Sequence, residues 1–168
     1  YLPNIKHVTT YARADSIARK SVSELRELKT AGIEHLYCGM ETGSDLILRK
    51  INKGFDAATI IISGTKAKEA GMVLSEFTLF GIGGKELAEE NAVETAKVLN
   101  VIKPDFVRVH ATGIKLSSEM WNYVKNKELT LQSEEEIVSE QKIMLELLAD
   151  DMDCIYMNEH IVNLLLEV

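Results

Sequence analysis

Cysteine is scarce in this chain: Cys38 and Cys154 are the only two in 168 residues. They fall on separate expected elements far apart in sequence, which fits reduced thiols and argues against a disulfide framework. Two thiols also cannot make a metal site by themselves. There are only two prolines, and no Pro/Gly/Ser-rich linker or low-complexity tract divides the chain. No apolar run approaches the roughly 20 residues that cross a bilayer, and no basic-then-apolar signal pattern opens the sequence. The expectation is a cytoplasmic protein with no membrane partner. Cations are outnumbered too, since 19 Lys and Arg against 26 Asp and Glu leave a net charge of -7. Non-specific nucleic-acid binding comes mainly from Lys and Arg displacing counterions, so no nucleic-acid partner is indicated.

What is present is a 46% hydrophobic composition at a length suited to one domain with a sizeable core. Period and punctuation then alternate regularly. Lys6 to Thr10 reads as a strand, followed by a helix over Ser16 to Thr30 with Ile17, Val22, Leu25 and Leu28 on its apolar stripe. Gly32 sits where that helix wants a left-handed residue. His35 to Gly39 is a strand, and Ser44 or Asp45 caps a short helix ending at Asn52-Lys53-Gly54. Asp56 caps the helix Ala57 to Ala70, which closes at Gly71 with the same Ala-Gly signal as before. Val73 to Phe80 is a buried strand, Glu86 to Ile102 a helix ended by Pro104, and Asp105 to His110 a further strand. Strands separated by helices predict βα units, a parallel sheet and right-handed crossovers.

Beyond Ser117 the pattern changes. Helices are expected near Glu119 to Lys125, from Ser133 to about Ala149 with a Ser133/Glu136 capping box, and through Ile161 to Leu166 after the segment Asp153 to Met157. Residues 1–116 read as one α/β unit and 117–168 as a helical extension packed on it.

The segment Ala31 to Gly54 carries the most chemistry. A strand delivers Gly39-Met40-Glu41-Thr42-Gly43-Ser44 to its C-terminal tip, where α/β folds place ligands. A carboxylate among glycines can accept hydrogen bonds from a ligand while the backbone lets it approach, so Glu41 is the leading candidate. Its bland alternative is a capping or solvated Glu. Lys53 can contact an anion or simply complement a helix C-terminus. Arg13 is either a ligand contact or a surface partner of Asp15. Gly81, Gly83 and Gly84 make a second flexible strand-to-helix turn, without dinucleotide or phosphate-loop spacing. Arg108 and His110 share one strand face by period-two alternation, with Thr112 following. Glu76 lies inside an apolar strand and so needs a partner or a function. His160 reads best as docking the last helix, and the scattered methionines as core fillers.

Gly39-x-Glu41-Thr42-Gly43, followed by Leu48-x-x-Ile51-x-Lys53-Gly54, resembles the fourth strand and turn of radical S-adenosylmethionine (SAM) enzymes. The likeness is to the methylthiotransferase-like and coproporphyrinogen-oxidase-like branch of these Fe-S oxidoreductases. It covers about Val8 to Thr112 and implies parallel strands three to six of a six-unit partial TIM-like (β/α) barrel. By that resemblance Glu41, Thr42, Lys53, Gly81 and Gly83 line the SAM site, and Arg13, Glu76, Arg108 and His110 contact substrate or cofactor. The family's three-cysteine cluster loop has no counterpart here, so the [4Fe-4S] cluster and SAM are expected in a longer parent. The parent would cleave SAM reductively to a 5′-deoxyadenosyl radical acting on an unidentified small-molecule or macromolecular substrate. The chain alone is expected to be inactive, with no cofactor or metal bound, and to form a homodimer through an exposed barrel edge. The competing expectation is a non-catalytic α/β module that binds a ligand or a protein. A lyase or aldolase of the same fold ranks last, because no Lys lies inside a strand.

Overall fold

The computed structural model describes residues 4, 5 and 7–158. His160 and the expected helix over Ile161 to Leu166 lie outside the described residues. Five strands form one sheet: β1 Val8–Ala12, β2 Ile33–Glu41, β3 Val73–Phe80, β4 Phe106–Ala111 and β5 Ile155–Met157. Their order is β1-β2-β3-β4-β5, and every adjacent pair is parallel. Because the order never reverses, successive right-handed crossovers stack their helices on one face, as in a (β/α) barrel and unlike a doubly wound sheet.

The helices are α1 Ala14–Ala18, α2 Val22–Thr30, α3 Asp45–Lys50, α4 Ala57–Glu69, α5 Ala88–Ile102, α6 Glu119–Lys125 and α7 Glu134–Glu146. Along the outer layer α1 packs on α4, α4 on α5, and α5 on α7. The core lies between these helices and the sheet. Leu36, Cys38 and Met40 of β2, Leu74 and Phe80 of β3, and Val107 and Val109 of β4 meet Ile60 and Ala67 of α4 and Ala92, Ala96 and Leu99 of α5. Each fully buried aliphatic side chain there contributes about 1.5–3 kcal/mol. The alternate residues of the strands form the opposite, inner face.

The two Ala-Gly closures behave as expected, with Gly32 at φ 101° and Gly71 at φ 74°. The single helix expected over 16–30 is instead two. Ser21 interrupts it by forming a capping box, in which its hydroxyl accepts from the Glu24 N–H and the Glu24 carboxylate accepts from the Ser21 N–H. A residue that caps the next helix has left the previous one. The first strand begins two residues later than the sequence pattern suggests, and a 3-10 turn at Lys85–Leu87 precedes α5.

The region after 116 adds a strand as well as helices. β5 pairs with β4 in the register Phe106↔Ile155, Val107↔Tyr156 and Arg108↔Met157. Asn100 fastens the approach to it, donating to the Leu147 carbonyl at 2.8 Å and accepting from the Ala149 N–H at 2.8 Å. No helix among the described residues is long and apolar enough to cross a membrane.

Candidate ligand cleft at the strand ends

The exit of β2 is irregular in a way that aims Glu41. The β2–β3 register shifts between Gly39 and Glu41, and Glu41 itself adopts φ 64°. A left-handed conformation costs a residue with a side chain roughly 1–2 kcal/mol, so the surrounding structure must impose it. The result is that the carboxylate folds back over Gly39. A Cβ at position 39 would stand 2.4 Å from Glu41 Oε1, so only glycine leaves that space. Lys53 Nζ donates to the same oxygen at 2.6 Å, and the two side chains are only 17% (Lys53) and 22% (Glu41) exposed.

Thr42, Gly43 and Ser44 hold this turn. The Ser44 N–H donates to Thr42 Oγ1 at 2.9 Å, the Gly43 N–H to Thr95 Oγ1 at 3.0 Å, and Ser44 Oγ to Glu90 at 2.9 Å. Thr42 is fully buried and fixes the turn without lining the cleft. Arg13, at the exit of β1, is the partner of Asp15 that its plainer reading expects, and it also borders the cleft. It pairs with Asp15 at 3.0 Å, donates to the Lys53 carbonyl at 3.1 Å, and lies 5.2 Å from the Phe55 ring centre.

These groups border a cleft of about 430 Å³. Arg13, Glu41 and Lys53 give it charge, Gly39 gives it depth, and Tyr11, Tyr37, Phe77 and His110 form its wall. The wall is a ladder across four strands, with ring centres 5.4 Å apart for Tyr11–Tyr37, 5.9 Å for Tyr37–Phe77 and 5.2 Å for Phe77–His110. Sequence reasoning picked out His110 but not Tyr11 or Phe77. Their signal was the same period-two alternation that marked Arg108 and His110.

Glu76 stands apart from the wall. By register it lies beside Cys38 and Val107 on the helix-covered side, 1% exposed. Neither carboxyl oxygen has a hydrogen-bond partner among the described residues. Burial first, and the negative charge of Glu41 second, push its carboxyl well above the usual range. Burial likewise pushes the Cys38 thiol far up.

Gly81 and Gly83 do not line the cleft; Gly81 packs under α7, and Gly83 packs against α3 and the turn before α5. A Cβ on Gly81 would meet Ile137, and one on Gly83 would meet Leu87 and Ile47. The Gly81 N–H donates to Glu140 Oε2 at 3.0 Å, Gln132 Nε2 to the same oxygen at 2.8 Å, and Asn91 Nδ2 to Oε1 at 2.6 Å. Burial raises the Glu140 carboxyl, while these hydrogen bonds pull it back down. Sequence reasoning missed Glu140, although it falls in the helical row of Ile137, Gln141 and Met144, all of them buried.

No family model matches the chain, and neither does any curated protein. Solved structures do match. The archaeal Elp3 of Methanocaldococcus infernus, with its N-terminal residues 1-46 deleted, superposes with TM-score 0.72 at 16% identity over 90% of this chain. Coproporphyrinogen III oxidase (HemN) from Escherichia coli, a radical SAM enzyme, gives TM-score 0.58 at 15% identity over 83%. The chain shares the fold of part of these two proteins. The cobalamin-dependent SAM radical enzyme OxsB agrees at TM-score 0.50, 17% identity and 83% coverage. The chain spans 35%, 30% and 18% of those three proteins, so it corresponds to part of each. The radical SAM likeness at this identity concerns architecture. Glu41 is the last residue of β2, so its cleft opens at the C-terminal strand ends, where (β/α) barrels keep their ligands.

Proposed function

We propose that this chain forms the SAM-holding wall of a radical SAM enzyme. The observation that carries the reading is the Glu41–Lys53 ion pair set over Gly39 at the strand ends. The methionine end of SAM is a zwitterion, and a mostly buried pair of opposite charges is its complement. Glu41 accepts the ligand ammonium through carboxylate oxygens, while Lys53 donates to the ligand carboxylate in a charge-assisted hydrogen bond. Arg13 keeps the backbone of Lys53 in place through its carbonyl. Tyr11, at the β1 end of the wall, takes the flat part of the ligand by stacking.

Reduced by an iron-sulfur cluster, SAM supplies a 5′-deoxyadenosyl radical for hydrogen abstraction. The thiols of this chain do not fit such a cluster. Cys38 is 1% exposed, with its thiolate disfavoured by burial, and Cys154 belongs to the approach to β5. Among the described residues no group of three or more His, Cys, Asp or Glu is placed to hold a metal ion. The part assigned to this chain is to bind and orient SAM.

Titration calorimetry of the chain with SAM tests this. Wild type binds, S-adenosylhomocysteine competes through the same zwitterion, and Glu41→Gln weakens both by about tenfold or more, the loss expected for one charge-assisted hydrogen bond. Equal affinity of wild type and Glu41→Gln overturns the reading.

A further inference from the structure

The inner face of the sheet carries a second cleft, of about 370 Å³, beyond the first. It shares Tyr11, Tyr37, Phe77 and His110 with the SAM cleft and adds Arg108 and Met157. We propose that this cleft is the subsite of a planar aromatic anion, a ring carrying a carboxylate or phosphate, with Arg108 as its charge partner. Only the description of that ligand as a substrate rests on the SAM reading.

Three observations converge on that ligand class. The first is charge. Lys53 is paired with Glu41 and Arg13 with Asp15, but among the described residues Arg108 makes no ion pair. Its one hydrogen bond there is a long one, from Nε to Ser75 Oγ at 3.5 Å. A guanidinium carries five N–H donors in a planar fork, and among the described residues no acceptor engages the two-pronged edge that matches a carboxylate or phosphate. Arg108 is half-buried, and among the described residues no carboxylate pairs with it.

The second is shape. Arg108 lies 5.1 Å from the Tyr37 ring centre and 5.7 Å from that of Phe106, so aromatic faces hold the guanidinium in position. Register sets Phe77 and Arg108 side by side on one face. A flat ring stacks on that wall at the 4.5–7 Å spacing aromatic pairs prefer. The third is the neighbouring imidazole. His35 donates to or accepts from Ser75 Oγ at 2.8 Å, and burial together with Arg108 lowers its pKa, so it adds no competing positive charge and Arg108 dominates. A cationic ligand is repelled here, a neutral one leaves the fork unpaired, and a flexible aliphatic anion gains no stacking.

The test uses 2-naphthoate as probe, titrated into the 168-residue chain and followed by ring-proton shifts of Tyr37 and Phe77. Expected are saturable shifts, affinity reduced about tenfold by Arg108→Gln and less by Arg108→Lys, and about tenfold weaker binding of the neutral analogue 2-naphthalenemethanol. Cyclohexanecarboxylate, equally charged but not flat, binds more weakly than naphthoate. Should Arg108→Gln fail to fold, the lysine variant and the two analogues still decide. Equal affinity of naphthoate and its neutral analogue, or indifference to Arg108, overturns the proposal. SAM affinity measured in parallel separates the two readings. Arg108-dependent naphthoate binding without SAM binding keeps this site and overturns the SAM reading alone. SAM binding with Arg108-independent naphthoate binding overturns this site alone.

Discussion

Two neighbouring strands of this sheet end in Gly-rich turns that carry or meet a carboxylate, and the two turns serve opposite purposes. At the exit of β2, Glu41 is partly exposed, strained at φ 64°, and answered by a single cation, Lys53. At the exit of β3, the Gly81 N–H meets Glu140, which is 1% exposed and satisfied by three donors: Gly81 after β3, Asn91 of α5 and Gln132 before α7. The β3 carboxylate is fully satisfied, and the arrangement joins α7 to the sheet. The β2 carboxylate keeps spare acceptor capacity at an open cleft, the condition under which a ligand can be gained. Glycine at a strand end thus says that something approaches closely, and the partner decides whether it is a ligand or the protein's own tail.

Replacing each acid breaks the comparison open. Glu140→Leu strands the Gly81, Asn91 and Gln132 donors in a buried site, and its expected cost is about 3 kcal/mol in urea unfolding. Glu41→Gly does the reverse. It relieves the left-handed backbone and gives up one partly exposed ion pair, so stability should stay within about 1 kcal/mol of wild type. SAM binding should disappear in that variant. Similar stability losses in the two would show that both turns are structural.

Gly39→Ala sharpens the point without touching either acid. The new Cβ would stand 2.4 Å from Glu41 Oε1, the end of a flexible side chain that can swing aside. The expected outcome is a stability change under about 1 kcal/mol, because one side chain rearranges and no backbone moves. SAM affinity should nonetheless fall about tenfold as the carboxylate leaves Lys53. Calorimetric binding and urea unfolding on the same samples check both halves; unimpaired binding would mean that the carboxylate position is not used.

These differences also mark what could be read from the residues alone. The alternation of strand and helix, the Ala-Gly closures and the Ser133/Glu136 capping box are local signals, and the parallel sheet follows from them. Period two placed Arg108 and His110 on one face, and the same rule extends to Tyr37, Gly39 and Phe77. The aim of Glu41 was not legible, since it depends on a register shift and a backbone angle for which Glu has no preference. The Gly81 turn looked like a ligand mouth because the helix that covers it begins about 50 residues later, and long-range packing leaves no local trace. Glu140 was hidden for a related reason. Amid the glutamates of α7 it resembles a solvated residue, and only its place in the row of Ile137 and Met144 turns it inward.

Glu76 offers the subtlest break, because it lies behind the cleft and contributes to neither turn. Its carboxyl is held above the ordinary value of 4.5 by burial and then by the Glu41 charge, with Lys53 opposing. The folded state therefore keeps a proton that the unfolded chain releases once the pH passes that value. Since the folded state binds more protons in this window, stability falls as pH rises from there toward the folded pKa, and below the window there is no loss. Glu76→Gln keeps the shape and removes the titration, so its unfolding free energy should decline less between about pH 4 and about pH 8 than that of wild type. Glu140 shifts in the same direction and remains in both chains, so the difference between the two slopes isolates Glu76. Parallel slopes would mean that Glu76 is ionised when folded, with Lys53 divided between two carboxylates and the cleft pair weaker than its 2.6 Å contact implies.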